Sequence, residues 1–344
     1  MANQSKILSD LLDRMEPEVA KAWRKAMADW RSAVDMAAIV RAISNNDILG
    51  AISAMNLDPA ALQVFLGALQ NAYQRAGAAT VAAYPKVTIP QSSAKMVIRF
   101  NGRDPVAEQF LRTKSAELVS NITTNQQEAI RKLLAAGLAA GDNPTAVALD
   151  LVGRIGQNGK RQGGVIGLTV PQADYLIAAK AELKSMDSGL LRNYLTRQLR
   201  DHRFDGFVLR AIESGTKIPV DARTRMLVSY SNRLLKQRGD TIARTETLST
   251  LHASQDEAVR QTLSASGIKT SAVTKTWRSA HDRKVRHTHT KLNGQKVGYL
   301  KPFVSPSGAK LMYPGDRSLG APAGEIINCR CIAPVKIDFL AGVK

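Results

Sequence analysis

Only two cysteines occur in this 344-residue chain, and they stand one residue apart, at Cys329 and Cys331. Thiols that close in sequence pair poorly without strain, so no disulfide framework holds the fold, and reduced, intracellular assembly is expected. Aromatic residues make up 5% of the chain, which disfavours the base-stacking platforms of single-strand-binding proteins. No apolar run approaches the roughly 20 residues that span a bilayer. The start, Met1-Ala2-Asn3-Gln4-Ser5-Lys6, lacks the apolar core of a signal peptide. A soluble protein with no membrane partner is therefore expected. Acidic groups are scarce as well: 29 stand against 48 lysines and arginines, a formal charge of +19. A surplus of that size attracts polyanions with salt-sensitive affinity. Apolar content of 44% and charged content of 22% are ordinary for globular proteins, and the length suits two domains.

Helical signals dominate the first three quarters of the chain. Asn45-Asn46-Asp47 and Asp58-Pro59 read as helix starts, because short polar side chains cap free amides and proline is tolerated in the first turn. Leu62, Phe65, Leu66, Leu69 and Tyr73 recur every three or four residues, an apolar stripe that seeks a partner surface. Pro85 to Pro90 interrupt the pattern, and Val97 to Phe100 read as a short extended segment. A long helix is expected from Pro105 to about Gly141, on the spacing of Phe110, Leu111, Leu118, Ile122, Ile130, Leu133 and Leu134. Asn143-Pro144 opens another, and Thr169-Val170-Pro171-Gln172 fits a capping box.

Between them, six glycines from Gly153 to Gly167, with Arg154, Lys160 and Arg161 interspersed, read as a mobile basic loop. Those three cations are candidate DNA contacts. Gly159-Lys160-Arg161 is no nucleotide loop, because the earlier glycine and the following Ser/Thr are missing. After Gly267 short β-like pieces (Val273 to Trp277, Lys310 to Tyr313, Ile326 to Ile332) alternate with Gly and Pro turns. The expected fold is mainly α, with N-terminal (1–84) and central (85–266) helical regions and a compact α+β C-terminal domain (267–344).

The last 70 residues concentrate the chemistry. Three of the five histidines (His281, His287, His289) and both cysteines lie there. Cys329, Cys331 and His289 are soft or borderline ligands suited to zinc, with His287 or His281 available to complete a tetrahedron. On an extended strand both thiols would face the same side. The alternative is that the cysteines are small core residues. Asp282, Arg286 and His289 would share one face of a helix, either as a polar network or as a general acid–base group with Arg283 and Arg286 gripping phosphate. Two-metal hydrolysis needs clustered carboxylates, whereas Asp282, Asp316 and Glu325 are scattered. Thirteen Lys or Arg against four Asp or Glu between Lys275 and Lys344 suit phosphate contacts without base reading.

The order of these elements resembles the phage Mu F-like minor head proteins, also called phage head-morphogenesis proteins. The residues that carry the resemblance are Trp277, Asp282, Arg286, His289, Leu292 and Gly294, then Tyr313-Pro314-Gly315-Asp316, then Asn328-Cys329-Arg330-Cys331. Upstream, Ala243-Arg244-Thr245-Glu246 resembles a helix start of the family, and Phe100 to Pro105 is similar to members as well. The likeness spans about residues 95 to 337. Lys284 stands where the pattern has its first arginine, and Arg286 and His289 stand where many members have cysteines. The resemblance implies a structural, non-enzymatic virion protein acting in procapsid assembly at the portal vertex, present in the host cytoplasm during assembly. Its implied partners are the portal protein, scaffold or major capsid protein, and packaged DNA held nonspecifically. A His/Arg-based nuclease and a stand-alone DNA-binding protein are the competing readings.

Overall fold

The computed structural model describes residues 2–85, 87–88, 95–96, 98–339 and 341. Helices dominate: α1 (Ala2–Ser32), α2 (Met36–Ser44), α3 (Ile48–Ala54), α4 (Gln63–Ala82), α5 (Pro105–Ala139), α6 (Pro144–Val152), α7 (Val170–Lys184), α8 (Ser188–Thr196), α9 (Asp205–Ser214), α10 (Val220–Ser266), α11 (His287–Leu292) and α12 (Ala323–Ile326). The strands are short: β1 (Val87–Thr88), β2 (Lys95–Met96), β3 (Arg154–Ile155), β4 (Arg161–Gln162), β5 (Val273–Thr276), β6 (Lys296–Gly298), β7 (Phe303–Val304), β8 (Lys310–Leu311) and β9 (Val335–Ile337). This is the mainly α architecture with a small α+β C-terminal part expected from the sequence. No single helix among the described residues is long and apolar enough to cross a membrane.

Local chemistry sets the helix starts. The carboxylates of Asp35, Asp47, Asp58 and Asp187 each accept a backbone N–H of the turn they open. Asn143 does the same before Pro144. At Thr169 both halves of the capping box form, Thr169 Oγ1 accepting Gln172 N–H and Gln172 Oε1 accepting Thr169 N–H. Each such cap contributes about 0.5–2 kcal/mol to its helix. In the apolar stripe, Leu62, Phe65, Leu69 and Tyr73 are buried. Of the expected extended segment, Val97 lies outside the described residues, as does Pro90, and Ile98 to Phe100 carry no regular element.

The chain forms two compact units, each assembled from separated stretches, so neither coincides with one of the three contiguous regions read from the sequence. The first comprises residues 1–22, 65–115 and 240–344; the second comprises 23–64 and 116–239. In the second unit, the glycine-rich stretch is a β3–β4 hairpin followed by a buried strap, in contrast to the mobile loop expected. Gly164, with φ +76°, has no space for a Cβ, which would meet Gly153 N at 2.5 Å and Leu151 O at 2.6 Å. The strap's backbone is held throughout: Gly163 N–H donates to Asn232 Oδ1 and Gly167 N–H to Gln126 Oε1, while Val165 O accepts Gln126 Nε2 and Ile166 O accepts Arg31 Nη2. Here glycine provides close backbone approach, where the sequence suggested freedom.

In the first unit, a three-stranded antiparallel sheet has the order β6-β5-β9, pairing Lys275 with Val297 on one side and with Val335 on the other. A β7–β8 hairpin stands beside it in sequence. Trp277, Phe303, Leu311, Leu248, Leu251, Leu11, Leu12 and Met15 form one apolar cluster that includes Cys329 and Cys331. The expected strand from Ile326 to Ile332 does not form. Ile326 ends α12, Cys329 N–H closes a turn onto Ile326 O, and Asn328 adopts a left-handed φ of 57°. Only Ile332 makes an isolated bridge, to Arg278, and the true edge strand lies further on at β9.

Candidate metal centre and the signature residues

His289 sits in α11, whose backbone begins only at His287. Asp282 therefore lies in the preceding loop, off any shared helical face, and pairs with Arg330. Arg286 donates to Ile327 O. The Asp282/Arg286/His289 group read from helical spacing is thus not assembled, and the phosphate-gripping arrangement built on it is not formed.

His289 instead meets the two cysteines. Its Nδ1 lies 3.4 Å from Cys329 Sγ and 3.5 Å from Cys331 Sγ. The three ligand atoms fall within 4.8 Å of one another, and all three residues are buried. On the far side of the ring, Nε2 lies 2.8 Å from Glu325 Oε2. Glu325 also accepts Thr288 Oγ1 on Oε2, and Ser305 Oγ and Ser307 Oγ on Oε1. Burial pushes the Glu325 carboxyl up, but Ser307, His289 and Thr288 outweigh it and hold the group below its ordinary value. Glu325 and the two sulfurs thus stand at opposite nitrogens of the ring. The hydrogen bond from Cys331 holds the Cys329 thiol well below the ordinary range, against burial and with help from His289. Cys331, giving that hydrogen bond, is pushed up. His281 and His287, the expected completing ligands, are exposed and stand apart from this group.

The other signature residues are structural contacts of the first unit. Trp277 is fully buried, its ring edge-on to His289 at 5.1 Å and to Phe303 at 5.2 Å. Gly294, at φ +85°, donates its N–H to Trp277 O. Arg244 pairs with Glu16 and Glu246 with both Lys114 and Arg317. Asn328 N–H donates to Thr245 Oγ1. Tyr313-Pro314-Gly315-Asp316 is a turn closed by Asp316 N–H onto Tyr313 O, with the Asp316 carboxylate accepting the Met312 and Ser318 N–H groups. Gly315 has φ +86°, and a Cβ there would sit 3.4 Å from the Ser249 backbone. Gly315→Ala is expected to cost about 1–3 kcal/mol from the left-handed backbone, read as a lower urea midpoint. An unchanged midpoint would show that the turn does not hold this conformation.

Sequence reasoning missed His252, which lies in α10 where no motif marks it. Its ring is stacked on Tyr313 at 6.0 Å, Nδ1 donates to Leu248 O, and Nε2 accepts Ala333 N–H. Burial lowers its pKa from 6.5 to about 4. The unfolded chain therefore takes up a proton below pH 6.5 that the folded chain refuses until about pH 4. Stability from this group is intact above pH 6.5 and falls as the pH drops through that window, by about 3 kcal/mol in all. Between pH 7 and 4.5, wild type is expected to lose about 2–3 kcal/mol more than His252→Gln. Parallel losses in the two proteins would remove His252 as the cause.

Of the three expected DNA contacts, Arg154 is engaged by Asp150 and Arg161 by Gly153 O, which leaves Lys160 exposed at the hairpin turn. A denser basic run lies within the Lys275–Lys344 stretch whose charge suits phosphate contacts. Arg278, Arg283, Lys284 and Lys291 are exposed in α11 and the loop before it, with Asp282 the one acid between positions 278 and 291.

These features define a module in which a polar and apolar signature organises a small sheet, with its histidine turned inward and away from solvent. Residues 178–333 match the family model described as Phage Mu protein F like protein. Over that stretch the chain is similar to the phage Mu F-like head-morphogenesis proteins, a structural phage head family. The match takes in every C-terminal signature residue, whereas Phe100 to Pro105 lie before it. No curated protein and no solved structure matches the chain.

Proposed function

We propose that this protein is a minor head protein that enters the procapsid at the portal vertex, binds portal and scaffold or major capsid protein, and holds packaged DNA through nonspecific phosphate contacts. The observation that carries the reading is that the family match falls on residues engaged in holding a fold. Arg244, Glu246, Trp277, Asp316 and Asn328 each have an intramolecular partner. The DNA part is supported by the charge of +19 and by the exposed run from Arg278 to Lys291. Phosphate neutralisation by such side chains is indifferent to sequence and weakens steeply with salt.

The test is particle assembly with the full-length chain, because residues 268–344 contribute to the first unit's core and their deletion would expose it. Expected outcomes are co-sedimentation of the chain with procapsids, recovery with the portal ring, and reduced DNA retention by Arg283→Glu/Lys284→Glu at normal incorporation. Particles that form without the chain ever associating would overturn the assembly role. Salt-independent DNA binding, or DNA cleavage abolished by His289→Ala, would overturn the nonspecific structural role.

A further inference from the structure

We propose that His289 Nδ1 and the thiolates of Cys329 and Cys331 bind one zinc ion, which clips the Asn328–Cys331 turn to α11. The distances fit a tetrahedral ion. Zinc takes sulfur at about 2.3 Å and imidazole nitrogen at about 2.0 Å in a tetrahedron, so its N···S edges are about 3.5 Å long. Here those two edges are 3.4 and 3.5 Å. The donor set is two soft sulfurs and one imidazole, which suits zinc and excludes magnesium or calcium.

The surroundings carry a second, independent mark. A metal-bound histidine characteristically gives its other ring N–H to a carboxylate, which fixes the tautomer and raises ligand basicity. Glu325 occupies that position at 2.8 Å, and it is itself held by Ser305, Ser307 and Thr288. Trp277 covers the ring edge-on.

One histidine and two cysteines supply three protein ligands among the described residues. The site is separate from the assembly role, and neither proposal stands or falls with the other.

The experiment uses the full-length protein, purified without chelator and analysed for metal, then stripped and titrated with Co(II). Expected results are one zinc per chain, and thiolate-to-cobalt charge-transfer bands that saturate at one equivalent and are lost in Cys329→Ser/Cys331→Ser and in His289→Ala. Glu325→Gln acts through His289, so it is expected to keep those bands and bind about 10–100-fold more weakly. Should the ligand variants fail to fold, the wild-type titration decides alone. Metal-free protein that develops no charge-transfer band, or copper or iron as the bound ion, would overturn the assignment.

Discussion

Trp277→Ala is expected to lower stability by about 3–5 kcal/mol, the usual cost of emptying a buried indole site. The ring is fully buried and wedged edge-on between His289 and Phe303, among Leu248, Leu251 and Leu292. No small rotation of those neighbours fills so large a space, and most domains have only about 5–15 kcal/mol in total. Urea unfolding followed by circular dichroism reads the effect, and Trp277→Phe should recover part of the loss by keeping an aromatic face. A drop below about 1 kcal/mol in the alanine variant would mean that the indole is not the centre of this core.

Glu246→Gln is expected to be nearly as damaging, for an electrostatic reason. The Glu246 side chain is 6% exposed and sits 2.9 Å from Lys114 Nζ and 2.8 Å from Arg317 Nη2. Burial pushes its carboxyl up, yet the two cations outweigh burial and hold it below the ordinary value. Its contribution is therefore present above the ordinary glutamate range and is lost as the pH falls through the lowered one. Removing the charge leaves the Lys114 ammonium, 15% exposed, without its partner, a loss of about 3–5 kcal/mol. Arg317 is half exposed and can turn to water. Adding Lys114→Met to Glu246→Gln should restore much of the stability, since the unpaired charge goes with it. Strictly additive losses would show that the pair is not the source.

The sequence was most legible where chemistry is local. Asp47, Asp58, Asn143 and Thr169 mark helix starts because the donor they satisfy lies two or three residues away. His289, Cys329 and Cys331 were legible as a set through residue type alone. Their geometry was not, because Cys329 and Cys331 sit on a turn set by the left-handed Asn328, where β-branched Ile326, Ile327 and Ile332 suggested a strand. Glu325 lay four residues from Cys329, yet its tie to His289 spans 36 positions and no spacing rule reveals it. The same holds for Lys114 with Glu246, 132 positions apart. Arg154 and Arg161 show the opposite error, since charge in a glycine-rich stretch is consistent with either a free loop or a pinned strap.

The first unit joins the opening 22 residues to the closing 105. During synthesis its amino-terminal pieces must wait, with Leu11, Leu12 and Met15 unpacked, until Trp277, Phe303 and Leu311 leave the ribosome. Contacts of such long sequence separation form slowly, and the waiting surfaces are prone to aggregate. Truncated translation products that lack Trp277, Phe303 and Leu311 should therefore precipitate or be degraded rather than persist.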